Sequence, residues 1–340
     1  VYDRFKKLER KRKRGEDHIK ALYDTMFELC LLNGNFLNVN TSGTTGEPKH
    51  MRIPRRDLVN SARLTADTFD LNEGDRALHC LPCDFIAGKM MLVRAMALGL
   101  DLHLIDPRGS VLDNLKTTDS FRFAAMVPVQ LHRALQEDRA RVERQFEVIL
   151  LGGGRVSEAL IEGLQGLDTV VFKDTGSTET VTHVAVRMLN GPAPEKWYRA
   201  IGEVSFARDP RGCLVVYTPH LSVKQHMTND VVRLIDQHRF EWLGRIDNVI
   251  LSGGKKIFPE RLEERTTGVI PYPHFFTSYH DDRLGEGVML VLETELPQME
   301  VLPEVIERLT PILEHHELPR RITAVRSIAR TDNGKIIRTV

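Results

Sequence analysis

The chain has 340 residues, a length that corresponds to about two domains of ~150 residues. Hydrophobic residues make up 41% of it, and 47 basic side chains balance 47 acidic ones, which excludes disordered and collagen-like proteins and argues against a protein built chiefly to hold nucleic acid. No stretch reaches the ~18 uncharged apolar residues of a membrane span, since the best candidate, Met90 to Leu100, is interrupted by Arg94.

The chain opens on a basic segment, Val1 to Arg14, which carries eight basic residues. Such a run binds RNA or anionic lipid, or forms a solvated helix face or a frayed terminus, and the sequence leaves these alternatives open. No apolar core follows it, so the start does not resemble a secretory signal. We therefore expect a cytoplasmic protein with no membrane span.

Between residues 58 and 172, short apolar runs alternate with helical patterns. Leu58, Ala62, Thr65 and Phe69 recur at the spacing of an amphipathic helix. The predicted strands are Leu78–Leu81, Leu102–Ile105, Phe123–Val127, Val148–Leu151 and Val170–Phe172. This alternation predicts a largely parallel sheet covered by helices.

The second half of the chain has a different pattern. Leu214–Tyr217 and Phe240–Leu243 read as an antiparallel addition to the sheet, and a smaller unit follows Gly244. That unit has a strand at Val288–Leu292 and a helix that Pro311 kinks or ends; its apolar positions are Leu302, Val305, Ile306, Leu309 and Leu313. We predict an α/β protein: a large N-terminal domain of helix-covered mixed sheets, 1–244, and a small α+β domain, 245–340.

The four cysteines do not form a disulfide framework or a zinc site. Cys80 and Cys83 have C-x-x-C spacing, but neither a second pair nor a histidine pair completes a metal site. Cys30 and Cys213 are isolated. We expect reduced thiols, mostly buried.

The strongest local motif is the nine-residue stretch from Thr41 to Lys49. Small hydroxyl residues and glycines let backbone N–H groups surround a phosphate, and Lys49 adds a cation. The predicted phosphate-binding residues are Thr41, Ser42, Gly43, Thr44, Thr45, Gly46 and Lys49. The spacing differs from that of a Walker A loop.

Three further motifs carry acids or a lysine. Gly176 to Glu179 follows a predicted strand and suits Mg²⁺ beside phosphates, or is a helix start with Thr178 as N-cap. Asp230, placed on a predicted turn, suits two ribose hydroxyls or simply forms the turn. Lys335 follows a glycine turn near the chain end, where a mobile domain could bring it to a distant site.

Together with Gly244–Asp247 and Ser252–Gly254, these motifs resemble the acyl-adenylate-forming superfamily of acyl- and aryl-CoA synthetases, from about Leu37 onward. The resemblance implies that ATP, Mg²⁺ and CoA are used on a small carboxylate. By that similarity the catalytic residues are Lys335, Glu179 and Thr178, with Glu179 as the Mg²⁺ ligand. The implied ATP-binding residues beyond the phosphate loop are Asp174, Thr175, Gly176, Asp230 and Arg245. Asp247 would be the hinge, and Gly253 and Gly254 would line the CoA tunnel.

Other stretches, among them Cys80 to Met91 and Phe240 to Ile250, are similar to short o-succinylbenzoate–CoA ligases of menaquinone biosynthesis. Members usually have well over a hundred residues before the phosphate loop, so we expect a shortened N-terminal domain. The acyl pocket would then include Lys89, Gly153, Gly154 and His183. Lys89 would neutralise the second carboxylate; alternatively, its side chain only reaches solvent from a helix start, and His183 is structural.

Two residues depart from the superfamily pattern. Thr175 stands where an aromatic residue usually stacks on adenine, which implies weaker ATP binding unless Phe172 compensates. Asn229 stands where a glycine usually precedes the acid. The alternatives to an o-succinylbenzoate ligase are another acyl- or aryl-CoA synthetase, a carrier-protein-loading enzyme, and a non-catalytic nucleotide- or RNA-binding protein. The sequence assigns no oligomeric state.

Overall fold

The computed structural model describes residues 20–22, 24–26, 35–40, 50–154, 156–295, 298–330 and 336–338, and gives only the backbone for 298–302. The chain divides into two compact units. The first comprises Val1–Arg155, Gly163–Phe206 and Val216–His226, and the second Val156–Glu162, Ala207–Val215 and Met227–Val340. The boundary expected at residues 244–245 lies inside the second unit, and a domain division there stays a prediction.

The helices and strands follow in chain order. The first part contains β1 (Phe36–Asn40), β2 (His50–Pro54), α1 (Arg55–Phe69), β3 (Arg76–His79), α2 (Ile86–Leu98), β4 (Asp101–Leu104), β5 (Phe121–Met126), α3 (Pro128–Gln145), β6 (Phe146–Leu151), α4 (Glu158–Gly163), β7 (Val170–Gly176), β8 (His183–Met188) and β9 (Tyr198–Ala200). The remainder contains β10 (Ser205–Arg208), β11 (Cys213–Tyr217), β12 (Gln225–Asp236), β13 (Arg239–Arg245), β14 (Ile250–Ser252), β15 (Lys255–Ile257), α5 (Pro259–Thr266), β16 (His274–Asp281), β17 (Gly285–Glu293), α6 (Gln298–Leu309) and β18 (Arg321–Val325).

The first unit contains a mixed sheet in the order β9-β8-β7-β6-β5-β3-β4. Pairing is parallel from β4 through β3, β5 and β6 to β7. It turns antiparallel from β7 to β8 and from β8 to β9. The five predicted apolar strands and the parallel sheet are therefore confirmed, because side chains buried on both faces leave continuous apolar runs in the sequence.

Aromatic side chains fill the core beneath this sheet. Phe121 and Phe123 on β5 and Phe146 at the start of β6 are each no more than 2% exposed. Phe69, at the end of α1, packs edge-on against Phe172 of β7 with ring centroids 5.2 Å apart. Helix α1, which the apolar spacing predicts, is thereby fixed against the strand that carries the candidate site residues.

The second unit contains the antiparallel pair β12–β13 and a separate five-stranded sheet. The latter has the order β15-β14-β17-β16, with β18 parallel to β17. Its core includes Phe276, Leu290 and Val305, all fully buried. The predicted strand at 288–292 lies in β17. Helix α6 ends two residues before Pro311, as expected because the pyrrolidine ring of a proline interrupts a helix.

Candidate active site

Three of the predicted ATP-binding residues lie at the carboxyl end of β7. Asp174, Thr175 and Gly176 are its last residues, beside β6, after which Gly152 to Gly154 follow. A Cβ built on Gly152 would lie 3.1 Å from an Asp174 carboxylate oxygen, so this carboxylate lies against the glycine backbone. Burial raises the pKa of Asp174, opposed by the charges of Lys173 and Arg94.

The segment after β7 is a tight hairpin turn into β8, and the alternative of a helix starting at Thr178 is wrong. Gly176 pairs with His183, and a Cβ on Gly176 would lie 2.0 Å from the Thr182 carbonyl oxygen, so only glycine fits there. Val181 has a φ of 67°, a left-handed conformation that strains a β-branched residue.

Hydrogen bonds within the turn hold this strained conformation. Thr180 Oγ1 accepts from the Ser177 amide at 3.0 Å and donates to the Thr182 carbonyl at 2.8 Å. The Glu179 side chain on the same turn is exposed. Burial lowers the pKa of His226, and the Glu179 charge opposes that shift, which places the carboxylate within electrostatic range of the histidine.

A buried polar cluster from α1, α2 and β8 lies behind this turn. The Thr65 hydroxyl donates to the Ser61 carbonyl at 2.9 Å, so it accepts the 3.2 Å hydrogen bond from Arg94 Nε. It likewise accepts from His183 Nε2 in a longer contact of 3.4 Å. His183 thus carries its proton on Nε2, and its buried Nδ1 has no hydrogen-bond partner among the described residues.

The charge states in this cluster follow from burial. Burial first, then the charge of Arg94, lowers the pKa of His183 well below its ordinary value, so the ring is neutral at pH 7. Burial lowers the pKa of Arg94 to about 10, opposed by Asp174, so the guanidinium stays charged. In the sequence, Arg94 only interrupts an apolar run. A charged residue directly after the four apolar residues Met90 to Val93 was the signal that could have identified it.

The remaining candidates for the acyl pocket lie on two elements of the first unit. Lys89, on α2, is half-buried, and its Nζ donates to Thr25 Oγ1 at 3.2 Å. Gly153 and Gly154 are exposed in the loop after β6, where Gly153 has a φ of 74°. The roles of these residues and of His183 in an acyl pocket stay predictions.

The cysteine pair near α2 is structural. Cys80 and Cys83 are buried, and burial raises the pKa of each thiol to about 12. Cys83 Sγ contacts His79 Nε2 at 3.3 Å. Across the described ranges, no group of three or more potential metal ligands occurs.

In the second unit, Asp230, Arg245 and Asp247 lie together. Asp230 pairs with Arg245 across β12 and β13, so the Thr228–Asp230 motif is part of a strand and not the predicted turn. Asp230 Oδ1 accepts a 3.1 Å hydrogen bond from Trp242 Nε1 and lies 3.9 Å from Arg245 Nη1. Arg245 Nη2 donates to Asp247 at 2.9 Å. Trp242 is a partner that the sequence analysis did not identify.

The predicted CoA residues form the turn between β14 and β15. Ser252 and Lys255 are paired, so Gly253 and Gly254 are the two central residues. Their φ values of 56° and 79° are those of a tight hairpin turn that favours glycine. Gly253 also lines a cavity of about 170 Å³, together with Lys255, His316 and Arg320.

Four of the predicted features lie outside the described residues: the phosphate loop from Thr41 to Lys49, Lys335, Cys30 and the basic segment Val1 to Arg14. The residues that flank two of these segments are described. Asn40 and His50, the residues that flank the predicted phosphate loop, are paired. Ile336, directly after Lys335, pairs with Arg330. In the part of the chain that the structure covers, no helix has the length and apolar character needed to cross a bilayer.

Comparison with known proteins gives one family and several relatives. The family model for AMP-binding enzymes matches residues 39–208, half of the chain. An acyl-CoA synthetase (AMP-forming)/AMP-acid ligase II-like protein from Dyadobacter fermentans is 34% identical, with a TM-score of 0.63 over 95% of this chain and 93% of that one.

Two relatives carry a more specific name. The 2-succinylbenzoate–CoA ligase of Listeria monocytogenes is 25% identical, over 88% of this chain and 68% of its own length. The o-succinylbenzoate CoA synthetase of Bacillus subtilis, solved in complex with the intermediate OSB-AMP, shares the fold with a TM-score of 0.73 and 23% identity, over 88% of this chain and 67% of that one. From the family match and the Dyadobacter relative, we conclude that this chain belongs to the AMP-binding enzyme family of AMP-forming acid–thiol ligases.

Proposed function

We propose that this chain is a carboxylate–CoA ligase that activates its acid as an acyl-adenylate with ATP and transfers the acyl group to CoA. The observation that carries this proposal is the carboxyl end of β7, where Asp174 to Gly176 lie beside the glycines that follow β6. At β7 the pairing changes from parallel to antiparallel. Open α/β sheets bind ligands outside the carboxyl ends of their parallel strands, and β7 is the last parallel strand on this side of the sheet.

In the first step, a carboxylate oxygen bonds to the α-phosphorus of ATP as the bond to pyrophosphate breaks. Both reactants are anionic, so the main requirement is positive charge placed where negative charge develops. We assign that role to Lys335 and to the phosphate loop from Thr41 to Lys49. Asp230 would hold the ribose hydroxyls, and the contacts of Trp242 and Arg245 with its Oδ1 support an oriented carboxylate.

Glu179 is the residue that would hold Mg²⁺. Its exposed carboxylate on the turn after β7 fits a hard cation that takes one or two protein carboxylates together with waters and phosphate oxygens. When bound, Mg²⁺ neutralises negative charge on the phosphates. Thr178 precedes Glu179 on that turn, and we assign it to the phosphates.

In the second step, the CoA thiol gives its proton to solvent, its thiolate sulfur bonds to the acyl carbon, and the bond from that carbon to the phosphate oxygen of AMP breaks, so that AMP leaves. This step needs a channel for the thiol and no longer needs the Lys335 ammonium. We therefore propose that the C-terminal part turns about Asp247 between the steps, and that Gly253 and Gly254 then line the path of the pantetheine.

We propose o-succinylbenzoate as the acid. The names of the Listeria and Bacillus relatives support it, and so do the residues available for an acid with two carboxylates. The unreacted carboxylate needs a cation if it is buried, and half-buried Lys89 on α2 is the candidate. Gly153 and Gly154 would leave room for the aromatic ring.

Mass-spectrometric detection of the product tests the proposal. The protein is incubated with ATP, Mg²⁺, CoA and a panel of carboxylic acids that includes o-succinylbenzoate. We expect o-succinylbenzoyl-CoA as the dominant product. A dominant thioester of another acid would overturn the substrate assignment in favour of a different acyl-CoA synthetase, and acyl transfer to a carrier protein but not to CoA would overturn CoA as the acceptor.

A further inference from the structure

Asp247, the proposed hinge residue, belongs to a network of hydrogen bonds with Asn229 and Arg211. Asn229 Nδ2 donates to both carboxylate oxygens of Asp247, at 3.2 Å each. Asn229 Oδ1 accepts from Arg211 Nη1 at 3.2 Å. The orientation of the amide is fixed, because a guanidinium can only donate and a carboxylate can only accept.

Arg211 is itself held in place on the second unit. Its Nε donates to Asp209 at 2.8 Å, and its Nη2 donates to the Thr228 carbonyl at 3.0 Å. Asp209 in turn accepts the amide of Cys213 at 2.9 Å, which closes the loop before β11. Arg211 therefore holds the Asn229 amide in the orientation in which Nδ2, on β12, donates to Asp247.

From this geometry we propose that Asn229 is a positioning residue that clamps Asp247 to strand β12 and so biases the rotation of the hinge between the two half-reactions. The proposal rests on the proposed function, in which Asp247 is the hinge. A glycine at position 229, the residue that the superfamily pattern usually has there, could not make this contact. The clamp is therefore a property of this chain's own side chain.

Asp247 lies in a single short 3-10 turn, Ile246–Asn248, which has few backbone bonds of its own. The Val249 amide donates to the Ile246 carbonyl at 3.3 Å, a long hydrogen bond. Arg245, the last residue of β13 and adjacent to the turn, donates to the same carboxylate through Nη2. Asn229 lies on β12, distant in sequence, so the Asn229 contact ties this turn to a second strand.

The test compares Asn229→Ala, Asn229→Asp and Arg211→Met with wild type in the full chain. Asn229→Ala removes the contact with Asp247, and Asn229→Asp places a carboxylate against Asp247. Arg211→Met removes the guanidinium that orients the Asn229 amide. Asn72→Ala, on an exposed turn of the first unit, is the matched control. Hydrogen exchange of the amides of residues 246–249 is measured, together with the rates of adenylation and of thioester formation from supplied acyl-adenylate.

We expect exchange at 246–249 to accelerate about tenfold in Asn229→Ala, the scale of one lost hydrogen bond to a charged group, and more in Asn229→Asp. The ratio of the two half-reaction rates should change by about threefold or more, whereas a merely structural residue would lower both rates together. Unchanged exchange in all three variants would overturn the clamp, and faster exchange with an unchanged ratio would overturn its role at the hinge. A wild-type protein inactive in both half-reactions would contradict the proposed function and leave the exchange result to decide the clamp.

Discussion

At the residue scale, burial sets the charge of the side chains around the candidate site. His183 and Arg94 are both 2% exposed, yet at neutral pH one is neutral and the other charged, because their ordinary pKa values differ by about six units. The sequence pointed to His183 only through the resemblance to o-succinylbenzoate–CoA ligases. It did not identify Arg94, because the Arg94–Thr65 contact joins two helices and leaves no local pattern.

His79 makes folding stability depend on pH. Burial lowers its pKa to about 4 from an ordinary 6.5, so between these values the unfolded chain binds a proton that the folded chain excludes. Stability therefore falls as the pH falls through this window, by about 2 kcal/mol between pH 6.5 and 5 from His79 alone. In urea unfolding, the free energy of unfolding should fall by about 2 kcal/mol less for His79→Gln than for wild type between pH 7 and 5. The control variant His280→Gln, at an exposed site, should show the same fall in the free energy of unfolding as wild type. An equal fall in His79→Gln and in His280→Gln would contradict this role of His79.

Lys89 tests the proposed substrate at the same scale. If its ammonium neutralises the second carboxylate of o-succinylbenzoate, Lys89→Met should raise KM for this acid about tenfold or more and change KM for ATP little. Steady-state kinetics with each substrate varied in turn measure both. A wild-type KM for o-succinylbenzoate in the variant would remove Lys89 from the pocket.

At the element scale, what could be predicted depended on burial. Strands such as β5 and β6 carry continuous apolar runs because both faces are covered, and the sequence located them. Strand β12 has mostly polar, partly exposed side chains, so its Asp230 motif was interpreted as a turn. The β7–β8 turn was read as a possible helix start because the approach of Gly176 to Thr182 follows from strand pairing, which no residue pattern shows.

Helix α5 is joined to the chain end by a buried ion pair. Arg338 donates to both carboxylate oxygens of Glu263, with Nη2 to Oε2 at 2.9 Å, and its Nη1 also donates to the Phe276 carbonyl. The side chains are 14% and 5% exposed. Removing one partner leaves the other charge buried, so Arg338→Met should lower the free energy of unfolding by about 3 kcal/mol.

Denaturant unfolding measures this loss, and two further variants separate its cause. Arg308→Met breaks an exposed ion pair with Glu304 and should cost less than about 1 kcal/mol. The double variant Arg338→Met with Glu263→Gln should recover part of the loss, since the charge of Glu263 is then removed together with that of Arg338. A double variant less stable than the sum of the two single variants would show that the Arg338–Glu263 charge pairing does not hold the chain end.

At the scale of the whole molecule, the family of the chain is shown, and the two chemical steps are proposed for it. Composition and strand–helix alternation predicted the class of fold, and the ordered motifs predicted the family that the comparisons show. Residues 250 to 322 have a core of their own, which suits a part that moves as a body. The choice of acid depends on pocket side chains from separate elements, and the sequence supplies only candidates for these side chains.

In the proposed function, Lys335 acts in the first of the two steps alone. Lys335→Ala should slow adenylation about 100-fold, the scale of one lost preorganised donor, and leave thioester formation from supplied o-succinylbenzoyl-adenylate much less affected. Rapid-quench measurement of each half-reaction gives the two rates. Equal losses in both would contradict a hinge that alternates the site between the steps.

Activation of a carboxylate as its adenylate is tested most directly by the exchange of labelled pyrophosphate into ATP in the absence of CoA. We expect exchange that requires both Mg²⁺ and a carboxylic acid, is fastest with o-succinylbenzoate, and falls about 100-fold in Lys335→Ala. Exchange that proceeds equally without any acid, or that is unchanged in Lys335→Ala, would contradict activation of a carboxylate as its adenylate at this site.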